Sequence, residues 1–137
     1  MRLRWIEAAL LFCCLACATA FGQIQEPVQE PAREHIRMLV QSSPLAGSQF
    51  HALARLHADM RLGDALTLVR EPENPYDAKA IRVEWRGQKL GYVPRRENRA
   101  VAAAMDRGEI LGARISRLQA DAPDPWQRLE FEVWLEL

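Results

Sequence analysis

The residues with the most chemical capacity lie between Arg70 and Val83, where the chain reads REPENPYDAKAIRV. Tyr76 and Asp77 set an aromatic ring directly before a carboxylate. Pro72 and Pro75 fix φ at about −65°, and Asn74, standing before a proline, is held extended. Asp77 can cap the amides of the strand that follows, with Tyr76 plugging one end of the fold. The pair is therefore either the cap of a constrained loop or part of a pocket, and the residues alone leave both open.

A second group, Arg95, Arg96 and Arg99, falls at the start of a helical pattern. Guanidiniums beside a helix N-terminus can follow a phosphate backbone. They are equally a solvated surface, here diluted by Glu97. His35, His51 and His57 have no Cys, Asp or Glu at ligand spacing and read as surface histidines, so no metal site is expected. Trp85, Trp126 and Trp134 read as core or rim aromatics. No GxxxxGK(S/T), GxSxG or HExxH pattern occurs, so neither catalysis nor a cofactor is expected.

The elements that must position these side chains are short. Met38 to Ser42 reads as a first strand, closed by Ser43-Pro44. Ser48 to Met60 begins with alternation and ends among helix formers, which suggests a strand running into a short helix or turn. Ala65 to Glu71 alternates as a half-buried strand. Ile81, Val83 and Trp85 share one face of a hairpin that turns at Arg86-Gly87 and returns through Leu90 to Val93, with Pro94 as its stop. Val101, Ala104 and Met105 lie on one face of a helix, and Gly108 sits where a left-handed cap would end it. Two strands close the chain, the last alternating Leu129, Phe131, Val133, Leu135 and Leu137 with acids. The fold class expected is mainly β with a helical insertion (α+β). It takes the form of a small antiparallel OB-like β-barrel with one clear helix at about 95–107.

Composition sets the frame. The chain has 137 residues, 49% of them hydrophobic, with no net formal charge. Arg2 and Arg4, the apolar run Ala8 to Cys17 and the Ala18 to Ala20 stretch follow the pattern of a secretory signal peptide over 1–20, cleaved after Ala20. The run is about half of the ~20 residues a membrane span needs, so no stable anchor is expected. Residues 21–37, with two QEP repeats, read as a disordered leader before a domain at 38–137. Removing Arg2, Arg4 and Glu7 from 18 basic and 18 acidic residues leaves 16 and 17. Such a chain lacks the charge excess of a general polyanion binder. All three cysteines fall in the segment removed, which leaves no disulfide or thiolate. Export to the periplasm or medium is expected, or a cytoplasmic domain if translation starts at Met38.

The order Gly63-Asp64, Leu68, Arg70-Glu71-Pro72, Asn74-Pro75-Tyr76-Asp77, Ala80-Ile81, Val83 and Gly91-Tyr92-Val93-Pro94 resembles the HIRAN domain family over nearly all of 38–137, as in stand-alone bacterial members. The resemblance implies a compact barrel distantly like an OB-fold that captures the 3′ end of single-stranded DNA. On that footing Asp77 accepts a hydrogen bond from a terminal 3′-hydroxyl, and Tyr76 meets the last nucleotide. The segment AGSQFHA (Ala46 to Ala52), with Gln49 and Phe50, lines the same pocket, Asn74 belongs to the same site, and Arg95, Arg96 and Arg99 stand near the backbone. Base–aromatic stacking is worth about 1–3 kcal/mol per base and needs no sequence readout. A carboxylate beside phosphates repels unless a free hydroxyl replaces the next phosphate. Helicase-linked members place an arginine before the pocket aromatic. Here Gln49 stands there and the aromatic is Phe50, which removes one phosphate contact. The alternative is an exported envelope module that keeps the barrel for a periplasmic protein partner.

Overall fold

The structure, a computed structural model, describes residues 36–137. The expected signal peptide at 1–20, His35 and all but the end of the 21–37 leader lie outside the described residues. Among the described residues, alternating apolar side chains build six strands: β1 (Arg37–Pro44), β2 (Ala65–Glu71), β3 (Ala80–Trp85), β4 (Gln88–Tyr92), β5 (Leu111–Leu118) and β6 (Leu129–Glu136). They form one antiparallel sheet in the order β1-β6-β5-β2-β3-β4. β2 passes from β5 to β3 along its length, pairing Ala65 and Leu66 with β5 and Thr67 to Glu71 with β3.

The sheet closes on itself just beyond β1. The Ala46 amide donates to the Tyr92 carbonyl, and the Tyr92 amide donates back to Ala46, each at 2.9 Å. Closure satisfies backbone groups that an open edge would leave to water. It also demands a residue without a side chain at Gly91, where a Cβ would stand 2.4 Å from the Ala46 carbonyl oxygen. Bulges near Leu39, Val83 and Ile115 add the bend a small barrel needs.

Inward positions fill the interior. Ile81, Val83 and Trp85 from β3 meet Leu129, Phe131 and Val133 from β6, with Leu45, Leu90 and Ile115 between them. The β6 alternation outlasts the barrel, so Leu135 is half-buried and Leu137 exposed. Arg86 and Gly87 carry φ of 48° and 75°, the positive pair that a two-residue hairpin turn requires.

Two expectations change. Ser48 to Met60 contains no strand. It forms a 3-10 turn (Ser48–Phe50), the short helix α1 (Leu53–Leu56) and a second 3-10 turn (His57–Asp59). Leu53, Leu56 and Met60 recur at i, i+3 and i+7, and this helical spacing puts them against the core where strict alternation would not. The second helix, α2, spans Asn98–Asp106 rather than about 95–107. Pro94 to Glu97 form a turn before it, closed by the Glu97 amide on the Pro94 carbonyl. Val101 and Ala104 are buried, Gly108 takes φ of 77° as the left-handed terminator, and Asp106 accepts twice from Arg70 of β2, at 2.9 and 3.1 Å.

Candidate functional site

The loop joining β2 to β3 is built by its own polar side chains. Asn74 Oδ1 accepts from the amides of Tyr76 at 3.0 Å and Asp77 at 3.3 Å, forming a tight turn around Pro75. Asp77 Oδ1 accepts from the Lys79 amide at 2.9 Å, and its carbonyl accepts from Ala80. The expected cap is therefore present. The expected plug is not, because Tyr76 is 85% exposed and its ring stands outward. Asp77 Oδ2 accepts a third bond, at 2.7 Å, from the side-chain amide of Asn98, a buried residue at the start of α2.

Over the seam where Ala46 meets Tyr92 of β4 lies a pocket of about 360 Å³. Its walls are Asn74, Tyr76, Asp77 and Ala80 from the loop side, Lys89, Tyr92, Val93 and Arg95 from the hairpin side, and Ala46 and His51 from the segment after β1. Lys89 Nζ donates to the Tyr92 hydroxyl at 2.7 Å, and that hydroxyl donates to Glu71 Oε2 at 3.1 Å. His51 packs edge-on to the Tyr92 ring, 6.1 Å between centroids.

Electrostatics follow from these neighbours. Burial of the Asp77 carboxyl works against its charge. The Lys79 amide, the Asn98 side chain and the positive charges of Arg95 and Lys79 outweigh it and hold the group below the usual carboxylate value. Glu71 behaves alike: burial opposes ionisation, and donors from Asn74, Tyr92 and Arg82 lower its pKa. Burial and the nearby Lys89 charge lower His51. Among the described residues no group of three His, Cys, Asp or Glu side chains is placed to hold a metal ion.

Asn74, Tyr76, Asp77 and Arg95 are thus brought together as the sequence suggested. Arg96 lies beside them, lining an adjoining cavity of about 550 Å³ with Arg95, Pro44, Pro94, Glu97 and Trp126. Arg99 is exposed on α2 and lines neither cavity. Gln49 and Phe50 are exposed and do not line the pocket. Gly47, at φ of 70°, starts a 3-10 turn that buries Ser48, whose hydroxyl donates to the Pro125 carbonyl at 3.3 Å. That turn leaves the next two side chains outside, and Ala46 and His51 on either side of it reach the pocket.

Lys89 and Tyr92 are not among the expected site residues, and His51, part of the Ala46 to Ala52 segment expected at the pocket, itself reads from the sequence as a surface histidine. One signal was available: with Ile81, Val83 and Trp85 facing inward, the other face of the hairpin collects Arg82, Glu84, Lys89 and Tyr92. Trp126, expected in the core or at the rim, is 48% exposed beside Arg95 and Arg96.

A closed antiparallel barrel with a packed helix, and with a pocket on its closing seam that charged and aromatic residues help to line, defines a small OB-like, mainly β domain. The chain belongs to the HIRAN domain family, whose model matches residues 38–137. A Lactobacillus plantarum protein of known structure is similar at 28% identity and a TM-score of 0.65, covering 74% of this chain and 96% of that one. The HIRAN domain of human HLTF shares the fold, with a TM-score of 0.57, 19% identity and coverage of 73% and 78%. A Fanconi-associated nuclease 1 homolog from Oryza sativa subsp. japonica is 33% identical over 76 residues, which is 53% of this chain and 8% of that protein.

Proposed function

We propose that this domain binds nucleic acid without catalysing a reaction, and that its pocket takes the 3′ end of a single DNA strand. The observation that carries the reading is the placement of Asp77. Its carboxylate lines a pocket that also holds two cations, Lys89 and Arg95, and an outward tyrosine ring. An interior phosphate would meet the Asp77 charge, whereas a terminal hydroxyl donates to it. The strand's last base stacks on Tyr76 and its backbone passes Arg95 toward Arg96 and Trp126 in the adjoining cavity. Family membership supports this reading. The nuclease activity in the rice relative's name is not carried over, since the chain matches so little of that protein.

The test is fluorescence anisotropy of the full chain with short oligonucleotides ending in a 3′-hydroxyl or a 3′-phosphate, at low and physiological salt. A preference for the hydroxyl end that Asp77→Ala abolishes supports the proposal. Equal binding to both ends, or none, rejects it.

A second reading, an exported module that binds a protein, draws on a different observation. Ile36, Met38, Leu39, Ile110 and Leu137 are exposed. The Leu137 amide bonds to Ile36 and the Glu136 amide to Ile110, so these side chains gather at one end of the barrel. In this reading the N-terminal segment directs the chain to the periplasm. N-terminal sequencing of the native protein tests that: a chain starting at Phe21 supports export, and one starting at Met1 or Met38 rejects it.

A further inference from the structure

Lys89 is half-buried on the pocket wall, and its ammonium is held by Tyr92. Nζ donates to the Tyr92 hydroxyl at 2.7 Å and stands 4.3 Å from the centroid of the Tyr92 ring. A phenol has one hydrogen, and here it is committed to Glu71, so the oxygen's lone pairs face Lys89. The donor direction is thereby fixed from Lys89 through Tyr92 to Glu71. Glu71 cannot turn away. The oxygen that takes Tyr92 also takes Asn74 Nδ2 at 2.9 Å, and the other takes Arg82 Nη1 at 2.6 Å. Arg82 is itself tied to Glu84 at 2.7 Å.

An ammonium carries three donors. One is used on Tyr92, which leaves two for a ligand. Among the described residues no carboxylate pairs directly with Lys89, whereas the pocket's other cation, Arg95, acts on Asp77. We propose that Lys89 is the phosphate-binding cation of this pocket and that Glu71, acting through the Tyr92 hydroxyl, is the positioning residue that aims it. The inference rests on the reading that the pocket holds a nucleic-acid end, and it names the group that meets the last internucleotide phosphate.

Charge bookkeeping and geometry make opposite predictions for Glu71. Removing a carboxylate near a phosphate site raises the local positive potential and by itself tightens anion binding. If Glu71 aims Lys89, removing it weakens binding instead. The experiment titrates the full chain and three variants with a fluorescent 3′-hydroxyl oligodeoxynucleotide across a series of salt concentrations. Lys89→Gln reduces the magnitude of the negative slope of log K against log salt by about 0.7, the worth of one phosphate contact on a single strand. Tyr92→Phe and Glu71→Gln each weaken binding about five- to tenfold, the worth of one ordinary hydrogen bond. Thermal unfolding checks that each variant is folded; if Glu71→Gln is not, Tyr92→Phe carries the test. An unchanged slope in Lys89→Gln, or tighter binding by Glu71→Gln, overturns this inference while leaving end binding intact. Absence of binding by the unaltered chain overturns both.

Discussion

The side-chain amide of Asn98 donates to Asp77 Oδ2 at 2.7 Å, and Asn98 is almost wholly buried. The first turn of α2 thus holds the carboxylate of a loop 21 positions earlier in the chain. With the Lys79 amide on the other oxygen, Asp77 is fixed as an acceptor with lone pairs still open toward the pocket.

Replacing Asn98 with Ala removes this donor and leaves a small void. The cost is about 1–2 kcal/mol, since a bond to a charged group is lost but water can reach part of the carboxylate. Urea denaturation measures it. Asn98→Asp costs more, because it faces one carboxylate with another at hydrogen-bond range.

Tyr76→Ala separates the cap from the pocket. The ring is 85% exposed, so unfolding free energy changes by less than about 0.5 kcal/mol. Oligonucleotide affinity falls by about 1–3 kcal/mol if a base stacks there, and Tyr76→Phe retains most of it. Paired denaturation and anisotropy measurements decide; wild-type affinity in Tyr76→Ala would remove the ring from the site.

Gly91→Ala strikes the barrel seam. The added methyl meets the Ala46 carbonyl oxygen at 2.4 Å and the Leu45 side chain at 2.9 Å, so the Ala46–Tyr92 bridge must open. A loss of roughly 1–3 kcal/mol is expected from overpacking. Amide exchange at Ala46 and Tyr92 should rise by more than exchange at β5 and β6.

Acid destabilises this fold in two stages. His51 in the folded chain titrates below the usual histidine value, because burial and Lys89 disfavour its charge. Between that lowered value and about 6.5 the unfolded chain binds more protons, so stability falls as pH drops through this window. Asp77 and Glu71 are also lowered in the fold, and their contribution is present above the ordinary carboxylate range and lost as pH falls through about 4 and below. Denaturation across pH 3 to 8 tests both stages. His51→Gln should flatten the first stage and leave the second.

Local pattern carried much of this molecule. Alternation along Ile81, Val83, Trp85 and along Leu129, Phe131, Val133 set which faces are buried, and Gly108 marked the end of α2. The prolines with Asn74 and Asp77 specified the β2–β3 loop from within a few residues. Such features are readable because side chains two or four positions apart must share a face once the backbone period is known. That period was ambiguous at Ser48 to Met60, where only the packing of Leu53 and Met60 into the core selected the helical option. Tertiary structure alone decided which edges meet. The Ala46–Tyr92 closure, the buried Asn98 beneath Asp77 and the joining of Lys89 and Tyr92 to Glu71 depend on contacts between segments far apart in sequence. Periodicity says which way a side chain faces but not what it will face, and so the loop could be read from the sequence while the pocket around it could not.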